Sequence, residues 1–183
     1  MIVPTLGLGA PAPDFDLPAV DGVRCSLASF SNKPVLVVIF SCNHCPYVKD
    51  YEERMVSIQK DYASKGVQLV AINSNDDKAY PEDGFPEMVR RAKERGFNFP
   101  YLRDETQKVV ESYGGLCTPH VFAFDSRRLL RYRGRIDDSR DESKVKSPDL
   151  RNALNDMLSG KSVRVPDTKP FGCSIKWYSL KPA

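Results

Sequence analysis

Two cysteines separated by two residues are the part of this sequence best suited to chemistry. They are Cys42 and Cys45, in the segment SCNHC directly after the apolar run Val35 to Phe40. This β-branched run is typical of a strand buried on both faces. Apolar residues then recur every three or four positions until Gly66, which indicates a helix. A Cys-x-x-Cys pair at a strand-to-helix junction is typical of redox proteins.

The expected position of the motif gives each reactive residue a role. The Cys42 sulfur would lie over unpaired amides at the start of the helix, and these favour the thiolate, which is the nucleophile in disulfide exchange. Cys45 would lie in the first helical turn and attack the mixed disulfide, which releases the product. His44 would add a positive charge beside both sulfurs. We therefore expect Cys42 to be the more exposed and the more acidic thiol.

The elements predicted around this motif form an α/β domain. Val67 to Asn73 is a second buried strand, and with the first strand and its helix it predicts a βαβ unit with parallel strands. Two helices are predicted to follow, within residues 88–96 and 105–113. An antiparallel hairpin within residues 120–136 and a last helix within residues 147–160 are predicted after them. The Asp21-Gly22 pair predicts another hairpin near the N-terminus. The best fit is a mixed sheet with helices on both faces.

A second feature, Cys117-Thr118-Pro119, begins the first strand of the predicted C-terminal hairpin. Together with the upstream Cys-x-x-Cys it resembles the thioredoxin superfamily, whose Thr-Pro has a cis proline packed against the reactive cysteines. The resemblance runs from Gly9 to about Leu158. Its start, GAPAPDFDLPAVDG, is similar to the redoxin branch of that superfamily. The stretches FSCNHCPYVKDYEERM, YRGRIDDSR and TKPFGCSIKW resemble a peroxiredoxin-like, AhpC/TSA-type group.

This resemblance implies a thioredoxin-like three-layer α/β/α fold with an N-terminal β-hairpin, a central mixed sheet and a C-terminal extension. It implies one domain over residues 1–160, with the tail 161–183 packed on it. It also implies a thiol–disulfide oxidoreductase that acts on protein or low-molecular-weight thiols and disulfides without a cofactor. Thr118 and Pro119 would bind substrate, because the residue before the proline offers backbone groups to an extended strand.

Two positions depart from the thioredoxin pattern. Ser41 precedes the first cysteine, where thioredoxins usually have tryptophan. The strand Val35 to Phe40 has no acidic residue, whereas thioredoxins bury an acid there that helps to move protons during exchange.

Three other functions remain as alternatives for the motif. A peroxiredoxin-type peroxidase has a P-x-x-x-[TS]-x-x-C pattern, but the hydroxyl position upstream of Cys45 is Cys42 and that upstream of Cys42 is Ile39. A structural zinc site needs four ligands, and the sequence has no second close Cys/His pair, so we expect no metal. A non-catalytic module could instead capture an extended peptide beside Pro119 by strand pairing.

The remaining cysteines are expected to differ in role. Cys173 lies in a tail whose Phe171, Ile175 and Trp177 are apolar enough to fold back onto the domain. There it could attack oxidised Cys42 as a resolving thiol, or it could serve packing alone. Cys117 and Cys25 are expected to be small buried residues, with a third redox thiol as the alternative for Cys117.

Composition excludes several classes of protein. The chain has 183 residues, about the length of one domain, and 27 basic against 24 acidic residues give a net charge of +3 without a basic run, so we expect no nucleic-acid partner. No apolar stretch approaches the roughly 20 residues that span a bilayer, so no membrane partner is expected. The start lacks the features of a secretory signal, which predicts a cytoplasmic location. We expect a monomer or a homodimer.

Overall fold

The computed structural model describes residues 4–179 and contains four α-helices and nine strands within that range. In chain order they are β1 (Asp16–Pro18), β2 (Arg24–Ser26), β3 (Val35–Phe40), α1 (Pro46–Tyr62), β4 (Val67–Asn73), α2 (Phe85–Glu94), β5 (Tyr101–Arg103), α3 (Lys108–Tyr113), β6 (Cys117–Thr118), β7 (His120–Phe124), β8 (Leu130–Gly134), α4 (Asp149–Leu158) and β9 (Cys173–Ser174). A short 3₁₀ helix, Pro81–Asp83, precedes α2.

The central sheet has five strands in the order β5-β4-β3-β7-β8. β3 is parallel to β4 and antiparallel to β7, while β7 and β8 form an antiparallel hairpin. This confirms the predicted mixed sheet, the βαβ unit and the C-terminal hairpin. The N-terminal hairpin is also confirmed, since β1 pairs with β2.

Every residue of β3 is buried, because helices and loops cover both faces of the sheet. Val35, Val37 and Ile39 pack in one apolar cluster, which also holds residues of α1, α2 and α4. The alternate residues of β3 pack on the other face with α3 and the N-terminal hairpin. Because β3 is covered by a layer on each face of the sheet, its sequence is a continuous apolar run. The predicted three-layer fold is confirmed.

Three local predictions were wrong. β5 was missed, because a three-residue strand between polar segments gives little periodic signal. α3 begins at Lys108 rather than Glu105, since Gln107 has a left-handed backbone with φ of 60°. α4 begins at Asp149, with Pro148 as its N-cap, and not at the start of the predicted range at 147.

The chain after α4 runs back along the domain. The Arg133 amide donates to the Pro166 carbonyl at 3.0 Å, and the Thr168 amide donates to the Arg133 carbonyl at 3.0 Å. Further on, β9 pairs antiparallel with β6. Within residues 4–179, no helix combines the length and the apolar composition needed to cross a membrane.

Candidate redox site

The Cys-x-x-Cys motif lies between the end of β3 and the first turn of α1. The Ser41 amide continues the ladder beyond β3 by donating to the Ile72 carbonyl at 2.8 Å. Cys45 is the N-cap of α1 and has an extended backbone, with ψ of 122°. Pro46 explains this boundary, because proline is suited to the first helical position and disfavours helical backbone in the residue before it. The prediction that Cys45 lies inside the first turn was therefore wrong by one residue.

Both sulfurs are buried. Cys42 is 1% exposed and Cys45 is 0% exposed, so Cys42 is not the exposed thiol that the sequence led us to expect. The two cysteines form a small cluster with Val48, and Tyr47 and Cys173 pack against it. Cys173 belongs to the C-terminal tail, so the tail contributes to this burial.

Thr118 contacts both cysteines. Its hydroxyl oxygen lies 3.2 Å from Cys42 Sγ, and its carbonyl oxygen lies 3.3 Å from Cys45 Sγ, to which the Cys45 thiol donates. The Thr118–Pro119 peptide bond is cis. The structure therefore brings the two sequence features, the cysteine motif and the Thr-Pro, into one site.

A buried carboxylate that the sequence did not single out fixes the loop between the cysteines. Asp83 is 0% exposed and accepts the Asn43 amide at 2.6 Å. It also accepts the side-chain amides of Asn73 and Asn75 at 3.2 and 2.9 Å. His44 Nδ1 lies 2.5 Å from its second oxygen. The signal for Asp83 in the sequence was that its segment follows β4, the parallel neighbour of β3.

His44 is held on two sides. Its ring stacks on Tyr80 with centroids 4.8 Å apart and an interplanar angle of 7°, and its Nδ1 faces Asp83. Candidate ligand atoms of Cys42, His44 and Asp83 lie within 4.8 Å of one another. Three ligands are fewer than a structural zinc site needs, and both Asp83 oxygens already accept hydrogen bonds. The arrangement is suited to proton transfer between a thiol, an imidazole and a carboxylate.

The electrostatic environment distinguishes the two thiols. Burial raises the pKa of Cys42 well above its ordinary value; Cys45 and the Asp83 carboxylate act in the same direction, while the Thr118 hydroxyl opposes them. The hydrogen bond with Cys42 lowers the pKa of Cys45 to about 4 against the effect of burial, and hydrogen bonds with Cys173 and the Val48 backbone assist. These pKa directions run against the expectation that Cys42 is the more acidic thiol. The main physical reason is the burial of Cys42, to which Cys45 and the Asp83 carboxylate add.

The other cysteines occupy distinct surroundings. Cys173 is partly exposed on β9 and packs against the buried pair. Burial and then hydrogen bonding with Cys45 raise its pKa to about 11. Cys117 is buried, and burial raises its pKa to about 12. Cys25 is buried in the apolar cluster beneath the N-terminal hairpin, the surroundings expected for a packing residue.

The AhpC/TSA family model matches residues 8–133 of this chain. The chain belongs to the AhpC/TSA family. Because this match includes the cysteine motif and the Thr-Pro, membership confirms the redoxin resemblance that those residues carried.

Similarity to individual proteins agrees with this family. A solved structure of a hypothetical protein from Sinorhizobium meliloti is 40% identical, with a TM-score of 0.92 over 97% of this chain and 98% of that one. The thiol-disulfide oxidoreductase ResA of Geobacillus thermodenitrificans is 26% identical over 69% of this chain and 68% of that protein. The thiol:disulfide interchange protein DsbE of Pseudomonas fluorescens is 29% identical over 74% of this chain and 72% of that protein.

Proposed function

We propose that this AhpC/TSA-family chain is a thiol–disulfide oxidoreductase in which Cys42 and Cys45 alternate between a dithiol and a disulfide. The observation that carries the proposal is the contact of both sulfurs with Thr118, the residue before a cis proline. The names of the ResA and DsbE relatives support this class of reaction. Protein or low-molecular-weight thiols and disulfides are the proposed substrates.

Reduction of a substrate disulfide proceeds in two exchanges. Transfer of the Cys42 proton to the Cys45 thiolate produces a Cys42 thiolate, which accepts a hydrogen bond from Thr118. This thiolate attacks one substrate sulfur, so a mixed disulfide forms and the other substrate sulfur leaves as a thiolate. Cys45 then loses its proton and attacks Cys42, which releases the second substrate sulfur. The substrate gains two electrons and the protein gains one disulfide.

His44 and Asp83 supply a route for the protons in this scheme. β3 lacks the acid found in thioredoxins, but Asp83 provides a buried carboxylate from the segment after β4. It orients His44 through Nδ1, so that the imidazole can exchange protons beside Cys42. His44 is therefore proposed as a third catalytic residue, and Asp83 as the residue that positions it.

The experiment measures reduction of a disulfide substrate, such as insulin, by dithiothreitol. Cys42→Ser and Cys45→Ser should abolish acceleration by the protein, whereas Cys25→Ser is the matched control because Cys25 only packs in the core. His44→Ala should lower the rate by about 10²-fold if the imidazole moves protons in the rate-limiting step. Undiminished turnover in Cys42→Ser would reject the proposal, and a preserved affinity for an unfolded peptide in that variant would favour a binding module.

Peroxide reduction is a second candidate, favoured by the low pKa of Cys45. A thiolate at neutral pH is the form that attacks peroxide. The position three residues before Cys45 carries Cys42 instead of the hydroxyl of the peroxidase pattern. Consumption of hydrogen peroxide with dithiothreitol as reductant separates the functions. Fast consumption that is lost in Cys45→Ser, without disulfide reductase activity in the intact protein, would assign the peroxidase.

A further inference from the structure

The backbone edge beside the cis proline is already paired. β9 runs antiparallel to β6, so that Cys173 lies opposite Thr118 and Ser174 opposite Cys117. The Ile175 amide continues this pairing by donating to the Leu116 carbonyl at 3.4 Å. An extended peptide that binds by strand addition would use these same backbone groups. The tail of the chain thus occupies the place of an extended substrate.

β9 approaches the backbone of Thr118 so closely that the residue before it, Gly172, has no room for a side chain. A Cβ added to Gly172 would collide with the carbonyl oxygen of Thr118. Beyond β9, the Lys176 amide donates to Asn75 at 2.9 Å, and the Lys176 carbonyl accepts from Gln107 at 2.8 Å. Ile175 is buried. The segment is therefore fixed from both sides of Cys173, which holds this thiol at one position.

Cys173 is the most accessible sulfur of the site. It packs against the cluster that holds Cys42 and Cys45, both of which are fully buried. Burial and then Cys45 raise the pKa of Cys173, which favours Cys45 rather than Cys42 as its exchange partner. While β9 is paired with β6, the buried pair is shielded from thiols in solution, whereas Cys173 is open to them.

We propose that β9 is a built-in substrate strand and that Cys173 is a third exchanging thiol, which transfers the disulfide between buried Cys45 and thiols in solution. The proposal rests on the proposed function of Cys42 and Cys45 and adds the point at which small thiols enter. It assigns glutathione-sized thiols as the direct reductants of the oxidised protein.

The transfer consists of balanced thiol–disulfide exchanges. The Cys173 thiolate attacks Cys45 of the Cys42–Cys45 disulfide, so the Cys45–Cys173 bond forms and Cys42 leaves as a thiolate that takes up the proton lost by Cys173. A thiol from solution then attacks Cys173, and Cys45 leaves as a thiolate. This leaves a mixed disulfide between Cys173 and the external thiol. A second external thiol attacks the external sulfur of that bond, and Cys173 leaves as a thiolate. Overall, two external thiols become one disulfide and the protein pair becomes a dithiol.

The charges around Cys173 support the first step. A Cys45 thiolate raises the pKa of Cys173, and this contribution disappears when Cys45 is in a disulfide. Lys176 and Arg140 act in the opposite direction and remain in both states. Oxidation of the pair therefore favours the Cys173 thiolate when it is needed as the nucleophile.

Disulfide mapping tests the connection between the sulfurs. In the full chain with Cys25→Ser and Cys42→Ser, mild oxidation by oxidised glutathione should produce a Cys45–Cys173 disulfide, identified by mass spectrometry of the tryptic peptides. Cys25→Ser removes the other cysteine that shares a tryptic peptide with Cys42 and Cys45. Cys45 left joined to glutathione, or paired with Cys117, would overturn the proposal.

Reduction kinetics test whether thiols in solution reduce the protein through the Cys45–Cys173 disulfide. Oxidised Cys173→Ser should react with reduced glutathione about tenfold or more slowly than the oxidised wild type, because its remaining sulfurs are buried. Cys25→Ser should react at the wild-type rate. Equal rates for Cys173→Ser and wild type, with a mapped Cys42–Cys45 disulfide in both, would overturn this inference and leave the proposed function intact. Absence of that disulfide from oxidised wild type would instead reject the proposed function.

Discussion

At the scale of single residues, Asp83 determines the chemistry available to the cysteine motif. It holds the Asn43 backbone, faces His44 and raises the pKa of Cys42. Burying one carboxylate is costly unless hydrogen bonds compensate it, and here four donors do so. The same carboxylate therefore fixes the backbone of the loop between the cysteines and sets part of its electrostatic environment.

Asp83→Asn should lower the pKa of Cys42, because the variant removes a negative charge beside its thiolate. The pH profile for alkylation of Cys42 should shift towards lower pH, as measured by mass spectrometry of iodoacetamide-labelled peptides. Glu82→Gln is the matched control, since its side chain is exposed and only its backbone carbonyl contacts the motif. A profile that coincides with wild type would contradict the assigned role of Asp83.

The folded protein should lose stability in mild acid because of the buried His120. Burial, followed by Arg133, lowers its pKa to about 4 from 6.5, and its Nδ1 accepts the Leu116 amide at 3.2 Å. Between these values the unfolded chain binds a proton that the folded chain does not. The contribution of neutral His120 to the free energy of unfolding is therefore complete above about pH 6.5. It decreases as the pH falls towards 4, by about 3 kcal/mol in total.

His120→Gln should remove this dependence while keeping an acceptor for the Leu116 amide. Urea unfolding at about pH 7 and about pH 4.5 measures it. The free energy of unfolding of the variant should fall less between these conditions than that of wild type. An equal decrease in both proteins would show that His120 does not titrate in this range.

At the scale of elements, the sequence was informative where local patterns decide the structure. The apolar run of β3, the periodic helix α1 and the Thr-Pro start of the C-terminal hairpin were predictable, because each has its own periodicity or turn chemistry. The pairing of β9 with β6 depends on contacts over 55 residues or more, for which a single sequence has no local signal. The placement of Asp83 was hidden for the same reason.

Gly172→Ala should weaken the attachment of β9. The added methyl group meets the Thr118 carbonyl, and overpacking of this kind costs about 1–3 kcal/mol. We expect faster proteolysis after residue 160 and faster alkylation of Cys173. Gly7→Ala is the control, since a Cβ there meets no atom within 4 Å and the backbone φ is not positive. Identical proteolysis of the two variants would contradict the close approach of β9.

At the scale of the whole molecule, one buried ion pair joins α1 to the segment after β8. Arg54 donates to Asp137 at 2.6 Å, and Tyr51 donates to the same carboxylate at 2.9 Å. Arg54 also donates to the Ser139 and Arg140 carbonyls. The segment that follows β8 is thus anchored to the helix that follows the cysteine motif.

Arg54→Ala should lower the free energy of unfolding by about 3–5 kcal/mol, because Asp137 would remain buried without its ionic partner. Arg24→Ala removes an exposed pair with Asp16 and should cost less than about 1 kcal/mol. Urea unfolding of both variants provides the comparison. Similar losses in the two would mean that the Arg54 pair adds no more than a surface pair.

The proposed reversible disulfide is a property of the whole molecule, because β3, α1 and Thr118 together hold the two sulfurs. The most direct measurement is an equilibrium titration of the wild-type chain in glutathione redox buffers, with each cysteine assigned by mass spectrometry at every potential. We expect a reversible two-electron transition in which Cys42 and Cys45 lose their free thiols together while Cys25 and Cys117 keep theirs. A Cys42 thiol that stays free at every potential would contradict it.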